Sequence, residues 1–398
     1  MKKYIPITEM LWFQEGPGVR NTQYTTSGVK LLNVANLIDG ELDITNTERY
    51  ISEDEAYGKY KHFLVDDGDF IIASSGIKVE YFDRKMGFAK KEQLPLCMNT
   101  STIRFKVLNK EKLSIRYFMY YLKSDHFKAQ LNYQITGSAQ LNFGPSHLKK
   151  MVFPIVEIAT QNQITEKLDT LCNIESRMRQ EIELLDELVK SRFIELFGDP
   201  VDNEMQWPTK SLEEACRVIV DCPHSTPNYT SQNTGFMCIR TSIVKKNYII
   251  WDDIEFISEE EYNKRIQRKK PEKGDVIYTR EGAILGIAAV IDKECNVALG
   301  QRAMLLSPDA NQCNSIFLCN AMNCDSFLAN ALKGQSGSAS PHINVGDIKA
   351  FKMIMPPIKL QQQFAAFVAQ VDKSKFVVQK SLQELETLKK SLMQQYFG

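Results

Sequence analysis

The sequence lacks long apolar runs, and this absence excludes a membrane-spanning helix. Its longest apolar run, residues 282–291, has ten residues and includes two glycines, whereas a helix that crosses a bilayer needs about twenty. The first segment, MKKYIPITEMLWFQ, carries two lysines but no apolar core, so it does not resemble a signal peptide. These features predict a cytoplasmic protein with no membrane partner.

Metal-binding and disulfide patterns are also missing. The nine cysteines form no CxxC pair, and their odd number argues against a complete disulfide framework. Only Cys222 and His224 are close enough in sequence to suggest half of a zinc site. Buried or surface thiols in a reducing compartment are the favoured alternative, so we predict no bound metal.

Catalytic motifs are absent as well. The sequence contains no GxxxxGKS or GxxxxGKT for nucleotide phosphates, no GxGxxG and no GxSxG. Adenine methylation needs Asn or Asp before a Pro-Pro pair and an aromatic residue after it, to hold the amino group and stack the flipped base. Here the pair Pro356 and Pro357 follows Met355 and precedes Ile358. We expect no catalytic site in this chain.

An excess of positive charge is the next missing feature. Lysine plus arginine total 49 and aspartate plus glutamate total 49, so the formal net charge is zero. A strongly basic domain is the usual sign of nucleic-acid binding, and its absence argues mildly against that function. A neutral protein can still bind DNA if its positive side chains face one way or if partner subunits supply charge.

What the sequence does contain is an internal repeat at a spacing of 200 residues. GSA at 137–139 recurs at 337–339, and Phe-Gly at 197–198 recurs at 397–398. Apolar residues at intervals of three, four and seven precede each Phe-Gly pair and predict two helices, roughly 164–197 and 364–397. Each would be about 50 Å long, and Gly-Asp-Pro after the first is a usual helix stop. The predicted apolar seam consists of Leu168, Leu171, Met178, Ile182, Leu185, Val368, Val371, Val378, Leu382 and Leu385.

The segments before these helices repeat at a spacing of 206. Residues 50–76 align with 256–282, and each contains a Gly-Asp pair followed by apolar residues, which predicts a tight turn that enters a strand. Residues 28–42 and 235–249 are both strand-like. The sequence therefore predicts two related globular domains.

Each domain is predicted to end in a helical stretch, 115–131 or 315–332, before its long helix. We therefore expect an α+β tandem duplication in which two mixed α/β domains are separated by two long helices. The seams predict that these helices form an antiparallel coiled coil with pseudo-twofold symmetry, because apolar seams are rarely left exposed. Two independent domains with helical tails are the alternative.

The remaining polar features suit binding. Two loops, 21–28 and 224–235, are rich in small polar and aromatic side chains that can contact base edges and phosphates, although loops often have this composition. The run KRIQRKKPEK at 264–273 has six basic residues in ten. It is either a DNA-facing patch or a solvated helix face balanced by three glutamates at 259–261.

Over its whole length the chain resembles the specificity subunit of type I restriction-modification systems. The resemblance lies in the duplicated order of domain and helix, in the turns DGDFIIASSG (67–76) and KGDVIYTREG (273–282), and in LGQRAMLLSP (299–308). The segments DCPHSTPNYTSQNTGFMCIRTSIV (221–244) and GSASPHINVGDIKAFKMIMPPIKLQQQF (337–364) are also similar to the family. The first half departs from the pattern, because Val156 and Glu157 replace the Pro-Pro pair, which should affect only the start of the helix.

The resemblance implies a non-catalytic DNA-recognition subunit. Residues 1–150 and 201–350 would be target recognition domains, each binding one half of a bipartite, asymmetric site in double-stranded DNA. Residues 151–200 and 351–398 would be the conserved helical regions that set the spacer. Two modification (methyltransferase) subunits would bring S-adenosylmethionine and flip the target adenine. Restriction (translocase and endonuclease) subunits would bring ATP and Mg²⁺, so this chain would bind no cofactor directly.

Candidate DNA contacts follow from side-chain chemistry within the resemblance. Arg and Gln are favoured because each can make bidentate contacts with guanine or adenine edges, although Arg302 could equally be a structural ion-pair residue. The candidates are Gln23, Tyr24, Ser74, Ser75, Lys78, Arg84 and Lys85 in the first domain and Thr226, Asn228, Tyr229, Arg240, Arg280, Gln301 and Arg302 in the second.

Three other functions stay open on the sequence. The chain could be an independent methyltransferase or nuclease with unrecognised motifs. It could be a helical scaffold whose two domains bind proteins rather than DNA. It could also serve a modification-only or other phage-defence complex.

Overall fold

The computed structural model describes residues 2–135, 142–333 and 341–398. The chain forms two compact units: unit 1 is Met1–Arg177 with Ser381–Gly398, and unit 2 is Met178–Lys380. Each unit mixes strands and helices and contains part of both long helices. The predicted α+β duplication is confirmed, while the repeated GSA motifs at 137–139 and 337–339 lie outside the described residues.

Unit 1 begins with short strands and ends with the first half of a long helix. In chain order its elements are β1 (Lys3–Pro6), β2 (Leu11–Glu15), β3 (Val29–Leu32), β4 (Leu37–Ile38), β5 (Glu41–Leu42), β6 (Tyr50–Ile51), α1 (Glu53–Tyr57), β7 (Phe70–Ala73), β8 (Met86–Phe88), β9 (Leu96–Met98), β10 (Thr102–Val107), α2 (Ile115–Leu122), α3 (Asp125–Gln134), α4 (Pro145–Leu148), β11 (Val152–Ile155) and α5 (Ile158–Phe197).

The main sheet of unit 1 is antiparallel and has the strand order β2–β10–β7–β8. All four residues of β7 are buried, which explains why this strand is apolar without alternation. Phe118 of α2 packs on the sheet, with its ring 5.3 Å from that of Phe105 in β10. A second sheet, β6–β3–β9, pairs β3 with β9 in parallel.

Unit 2 repeats this plan. Its elements after α5 are β12 (Thr209–Ser211), α6 (Leu212–Ala215), β13 (Cys216–Asp221), β14 (Tyr229–Thr230), β15 (Met237–Ile239), β16 (Val244–Lys245), β17 (Tyr248–Ile249), β18 (Glu255–Ile257), α7 (Glu259–Arg265), β19 (Val276–Thr279), β20 (Ala288–Val290), β21 (Val297–Leu299), β22 (Ala303–Pro308), α8 (Ser315–Asn323), α9 (Asp325–Lys333), α10 (Val345–Ala350), β23 (Lys352–Ile354) and α11 (Ile358–Phe397).

The sheets of unit 2 correspond to those of unit 1, with one additional strand, β14, in the second sheet. The antiparallel sheet β13–β22–β19–β20 corresponds to the main sheet of unit 1. The sheet β14–β18–β15–β21 pairs β15 with β21 in parallel, as β3 pairs with β9. Both units therefore present corresponding loops, which differ in length, from the same positions of their sheets.

The repeated Gly-Asp pair is a tight turn before the central strands β7 and β19. Gly68 has φ +78° and Gly274 has φ +93°, a left-handed conformation that glycine adopts without steric cost. The following aspartate closes each turn: Asp69 Oδ2 accepts the Asp66 N–H at 2.9 Å. Asp275 Oδ2 accepts the Glu272 N–H at the same distance. The sequence prediction of a turn that enters a strand is confirmed.

The helical stretch predicted at the end of each domain, 115–131 or 315–332, is confirmed, and the structure divides each stretch into two helices. In unit 1, α2 ends at Leu122 and α3 begins at Asp125. Ser124 lies between them, and its Oγ accepts the Phe127 N–H at 3.2 Å. This N-cap starts a new helix at a point where the apolar pattern alone continues.

The long helices begin six residues before the predicted positions, at Ile158 and Ile358. A fully buried glutamine holds each first turn. Gln161 Oε1 accepts the Ser114 N–H at 2.9 Å and Gln361 Oε1 accepts the Asn314 N–H at 2.8 Å. These first turns are anchored by polar contacts with the preceding loop, and an apolar pattern cannot reveal such contacts.

In each unit the two helices run in opposite directions. In unit 2, Arg192 of α5 lies over the Phe367 ring of α11, and Asp186 of α5 pairs with Lys375 of α11 at 2.6 Å. Residue numbers therefore increase along α11 in the direction in which they decrease along α5. Phe193 and Phe197 at the end of α5 pack edge-on against Phe364 near the start of α11.

In unit 1 the end of α11 packs into the core, as the end of α5 does in unit 2. The Phe397 ring lies 5.1 Å from that of Tyr117 and 6.2 Å from that of Tyr121, in the same core cluster as Leu168. Lys389 pairs with Glu175 at 2.7 Å. The antiparallel pairing expected from the seams is therefore present within each unit.

Candidate nucleic-acid interface

The candidate residues of unit 2 gather around the corner between β21 and β22. The Gln301 side chain donates a hydrogen bond to Thr226 Oγ1, so the 224–235 loop touches this corner. Next to it, the Arg240 guanidinium lies 5.6 Å from the Tyr229 ring centroid and 3.0 Å from Glu255. These contacts form one polar surface at the end of the sheet.

Tyr229 is a half-buried side chain of this surface. Burial raises its pKa to about 12, so the phenol remains a neutral donor and acceptor at physiological pH. A Cβ added to Gly300 would lie 3.5 Å from the Tyr229 hydroxyl and 3.0 Å from the Ile239 carbonyl oxygen. Glycine at 300 thus lets the corner approach the ring closely. Asn228, beside it, is exposed.

Arg280 was predicted as a DNA contact, and the structure places it inside the unit. Its side chain is 8% exposed, and it donates to Asp221 Oδ1 at 2.8 Å and Oδ2 at 3.2 Å. His224 Nε2 lies 3.1 Å from the same carboxylate. The pairing turns the guanidinium toward the protein, so it lacks the exposure that a base contact needs.

Arg302 has the opposite environment. Half of its side chain is exposed, and its Nε lies 3.7 Å from Glu281 Oε1. Its backbone φ is +70°, in the left-handed region. Arg302, Thr226 and Asn228 are therefore exposed at this corner, and Gln301 is half-buried beside them.

In unit 1 the basic candidates line one groove of about 590 Å³. Its floor and walls come from the loop between β7 and β8 and from the β4–β5 hairpin, with Arg84 5.7 Å from the Tyr81 ring centroid. The groove is lined by Ile38, Asp39, Gly76, Ile77, Lys78, Tyr81, Arg84 and Lys85. Lys78 and the adjacent pair Arg84 and Lys85 thus line the same groove, together with Asp39.

The length of one loop makes this groove specific to unit 1. The connection between β7 and β8 runs over 74–85 and contains a 3₁₀ turn, Val79–Arg84. The corresponding connection in unit 2 runs only over 280–287. Sequence reasoning selected the basic residues of the longer loop but missed Tyr81, which is 49% exposed. The signal was available, because an aromatic residue stands between two basic ones.

The other candidates of unit 1 make internal contacts. Gln23 Nε2 donates to Glu55 at 2.7 Å and to the Tyr60 hydroxyl at 3.1 Å. The Tyr24 hydroxyl accepts from Asn99 Nδ2 at 3.4 Å. Both side chains are half-buried. Their hydrogen bonds connect the 21–28 loop to the rest of the unit, and part of each side chain remains at the surface.

The two candidate serines differ in exposure. Ser74 is 1% exposed, which keeps its hydroxyl from a ligand at the surface. Ser75 is half-buried, and its Oγ donates to Ser101 Oγ at 2.6 Å. Ser101 occupies in unit 1 the place that Arg302 occupies in unit 2, and sequence reasoning missed it.

The basic run at 264–273 lines a cavity of about 230 Å³ together with the 220–225 segment. Arg265 is buried and pairs with Glu261 at 2.6 Å, and Lys269 pairs with Glu272 at 2.8 Å. Lys264 and Arg268 are exposed. Part of the run therefore has its positive charges paired with nearby glutamates, and the exposed basic side chains lie at the rim of the cavity.

The Cys222 thiol has a structural environment. Its Sγ accepts the Ala303 N–H at 3.4 Å, and burial raises its pKa. His224 contacts Asp221 instead, as described above. Across residues 2–135, 142–333 and 341–398 no cluster of three His, Cys, Asp or Glu side chains could hold a metal ion.

The ten residues predicted as the seam of the long helices are all buried or half-buried. The opposite faces carry exposed apolar side chains, of which Phe376 is 66% and Val377 is 62% exposed on α11. On α5, Leu184 is 61% and Leu188 is 46% exposed. No helix in the described part of the chain is long and apolar enough to cross a membrane.

Comparison with known proteins identifies the family. Residues 22–184 and 205–387 each match the model of the type I restriction modification DNA specificity domain, so most of the chain is matched, once in each half. The chain belongs to this family. The two matches confirm the tandem duplication and the resemblance found in the sequence.

Individual relatives agree with this assignment. The chain is 24% identical over 190 residues to the type I restriction enzyme MjaVIII specificity subunit of Methanocaldococcus jannaschii. This alignment covers 47% of this chain and 43% of that protein. It is 25% identical over 288 residues to the type I restriction enzyme EcoKI specificity subunit of Escherichia coli. That alignment covers 67% of this chain and 60% of that protein. The matched regions thus span less than two thirds of these curated relatives.

Solved structures from type I restriction-modification systems share the fold. The type I restriction-modification S subunit from M. genitalium matches with a TM-score of 0.58 at 15% identity, covering 100% of this chain and 96% of that one. A chain from a structural study of the assembly and conformational transition of the type I restriction-modification system matches with a TM-score of 0.56 at 16% identity, covering 99% and 97%.

Proposed function

We propose that this chain is the DNA-recognition subunit of a type I restriction-modification complex. The observation that carries the proposal is the double family match, one in each half of the chain. Each unit repeats the same pair of sheets but displays different side chains from equivalent loops. Each would therefore bind one half of a bipartite site, and the two half-sites would differ in sequence.

Two surfaces are proposed as the DNA contacts. In unit 1 the groove lined by Lys78, Arg84 and Lys85 supplies positive charge for phosphates. In unit 2 the corner with Gln301 and Arg302 supplies donors suited to purine edges. Gln23, Tyr24, Ser75, Thr226, Asn228, Tyr229 and Arg240 complete the proposed contacts, whereas the burial of Ser74 and Arg280 removes these two from the set.

Catalysis in this proposal belongs to partner subunits. Two modification subunits would dock on the exposed apolar faces of the long helices and bring S-adenosylmethionine, while restriction subunits would bring ATP and Mg²⁺. The helices would set the spacer between half-sites, since a 40-residue helix is about 60 Å long. We place the assembled complex in the cytoplasm with the DNA, with residues 1–150 and 201–350 as recognition domains and 151–200 and 351–398 as helical regions.

Selection from randomised DNA tests this proposal in vitro. The purified chain is combined with the modification subunit of its own system, and bound duplexes are recovered from a random pool and sequenced. We expect two unlike half-sites separated by a fixed unspecified spacer. A stable complex that selects no sequence would contradict the proposal and favour the protein-binding scaffold.

A further inference from the structure

Two residues in equivalent corners of the two units share an unfavourable backbone conformation. Among the described residues, six other than glycine have positive φ, and three of these are Asn or Asp, which tolerate it. Ser101 at φ +68° and Arg302 at φ +70° do not belong to that class. Each immediately precedes one of the two central strands of its main sheet, β10 or β22. Glycine would remove the strain, yet both corners keep a side chain.

The same backbone hydrogen bonds surround both corners. The Ser74 N–H donates to the Ser101 carbonyl at 2.8 Å, and the Arg280 N–H donates to the Arg302 carbonyl at 3.0 Å. The frame around residues 101 and 302 is therefore constant. A strained conformation held by a constant frame is typical of functional positions, and only the side chains differ between the units.

The side chains at this frame carry different chemistry in each unit. In unit 1 two neutral hydroxyls meet, as Ser75 Oγ donates to Ser101 Oγ at 2.6 Å. In unit 2 a carboxylate and a guanidinium meet, with Glu281 Oε1 3.7 Å from Arg302 Nε. These side chains remain 28% and 50% exposed. Gly282 has φ +93°, and a Cβ there would lie in van der Waals contact, at 3.4 Å, with an Arg302 terminal nitrogen.

We propose that Glu281 and Arg302 together recognise one cytosine–guanine base pair in the half-site of unit 2. This inference rests on the proposed function, because it assigns a base pair to the proposed DNA surface. A guanidinium donates two hydrogen bonds to guanine O6 and N7, and a carboxylate accepts from cytosine N4, both in the major groove. The neutral pair Ser75 and Ser101 lacks the bidentate donor, so the equivalent position in the other half-site carries no such preference.

Variants of the corner test this assignment in the selection from randomised DNA described above. Arg302→Gly relaxes the backbone and is expected to keep the wild-type melting temperature. It should make one C·G pair of one half-site unspecified, a loss of roughly 10- to 100-fold discrimination, and leave the other half-site unchanged. Glu281→Gln, which keeps the side-chain shape and the strained residue, should weaken selection at the same pair.

Arg217→Ala is the matched control, because Arg217 is an exposed arginine at the opposite end of β13 from the corner. It should select the wild-type motif. If Arg302→Gly and Glu281→Gln also select the wild-type motif at every position, the assignment is overturned. A change at an A·T pair, or in both half-sites, overturns it as well. Failure of the proposed function would give a different result from failure of this assignment, because the wild-type chain itself would then select no motif.

Discussion

Arg280 and Asp221 form a two-point ion pair inside unit 2, with nitrogen–oxygen distances of 2.8 and 3.2 Å. Removing one partner of a buried pair leaves an uncompensated charge. Asp221→Ala should therefore lower the free energy of unfolding by about 3 kcal/mol. Urea denaturation followed by circular dichroism measures this change. Arg302→Ala, which removes an exposed arginine, should change it by no more than about 0.5 kcal/mol, and equal losses in the two variants would contradict the account.

The aromatic end of α11 should be essential for the stability of unit 1. Phe397 is fully buried against Tyr117 and Tyr121, so Phe397→Ala should cost about 3 to 5 kcal/mol. Phe376→Ala on the same helix is the control, because Phe376 is 66% exposed. Thermal unfolding of both variants measures the difference. A Phe397→Ala variant that melts with the wild type would show that this contact is not part of the core.

The ion pair between the helices in unit 1 should give a pH-dependent contribution to stability. Burial lowers the pKa of Lys389, but the hydrogen bond with Glu175 and neighbouring charges outweigh it, so the pKa is raised above 10.5. A raised lysine pKa stabilises the folded state below the unfolded pKa, and this contribution is lost as pH rises through the folded pKa.

Glu175→Gln should therefore lower the melting temperature equally at pH 7 and pH 9. The difference from the wild type should shrink above about pH 10.5. Glu166→Gln, an exposed change on the same helix, is the control and should have little effect. A difference between Glu175→Gln and the wild type that persists unchanged at pH 11 would mean that packing, and not charge, explains it.

The groove of unit 1 should contribute to DNA affinity through phosphate contacts. The double variant Arg84→Ala with Lys85→Ala should weaken binding and reduce the salt slope, d log K/d log[salt], by roughly 0.9 for each lost phosphate contact. Fluorescence anisotropy at several salt concentrations measures both quantities. Lys110→Ala with Lys112→Ala removes the same charge from exposed positions outside the groove. If both double variants weaken binding equally, only the overall charge matters.

The fold was largely predictable, because the same apolar pattern occurs in both halves of the chain and each copy supports the helix predicted from the other. The recurrence of apolar positions before Phe197 and Phe397 predicted both long helices and their ends. Their beginnings were missed, since Gln161 and Gln361 act through contacts with loops that are distant in sequence. Lys389 interrupts the apolar seam, and only the structure shows that Glu175 pairs with it.

The candidate site was less predictable. Side-chain chemistry selected Arg280 and Arg302 alike, but exposure separates them, and exposure depends on a partner, Asp221, that is 59 residues away. Glu281 and Ser101 escaped selection because their importance lies in a backbone frame that strand pairing creates. Such positions become visible only when the two units are compared residue by residue.

The measurement that tests the central claim most directly is a genome-wide map of methylated adenines in cells. The chain is co-expressed with the modification subunit encoded beside it, and methylation is located by single-molecule sequencing. The account predicts one bipartite motif with two unlike halves and a fixed unspecified spacer, absent when this chain is omitted. A palindromic motif, or a stable complex that methylates no defined sequence, would contradict it.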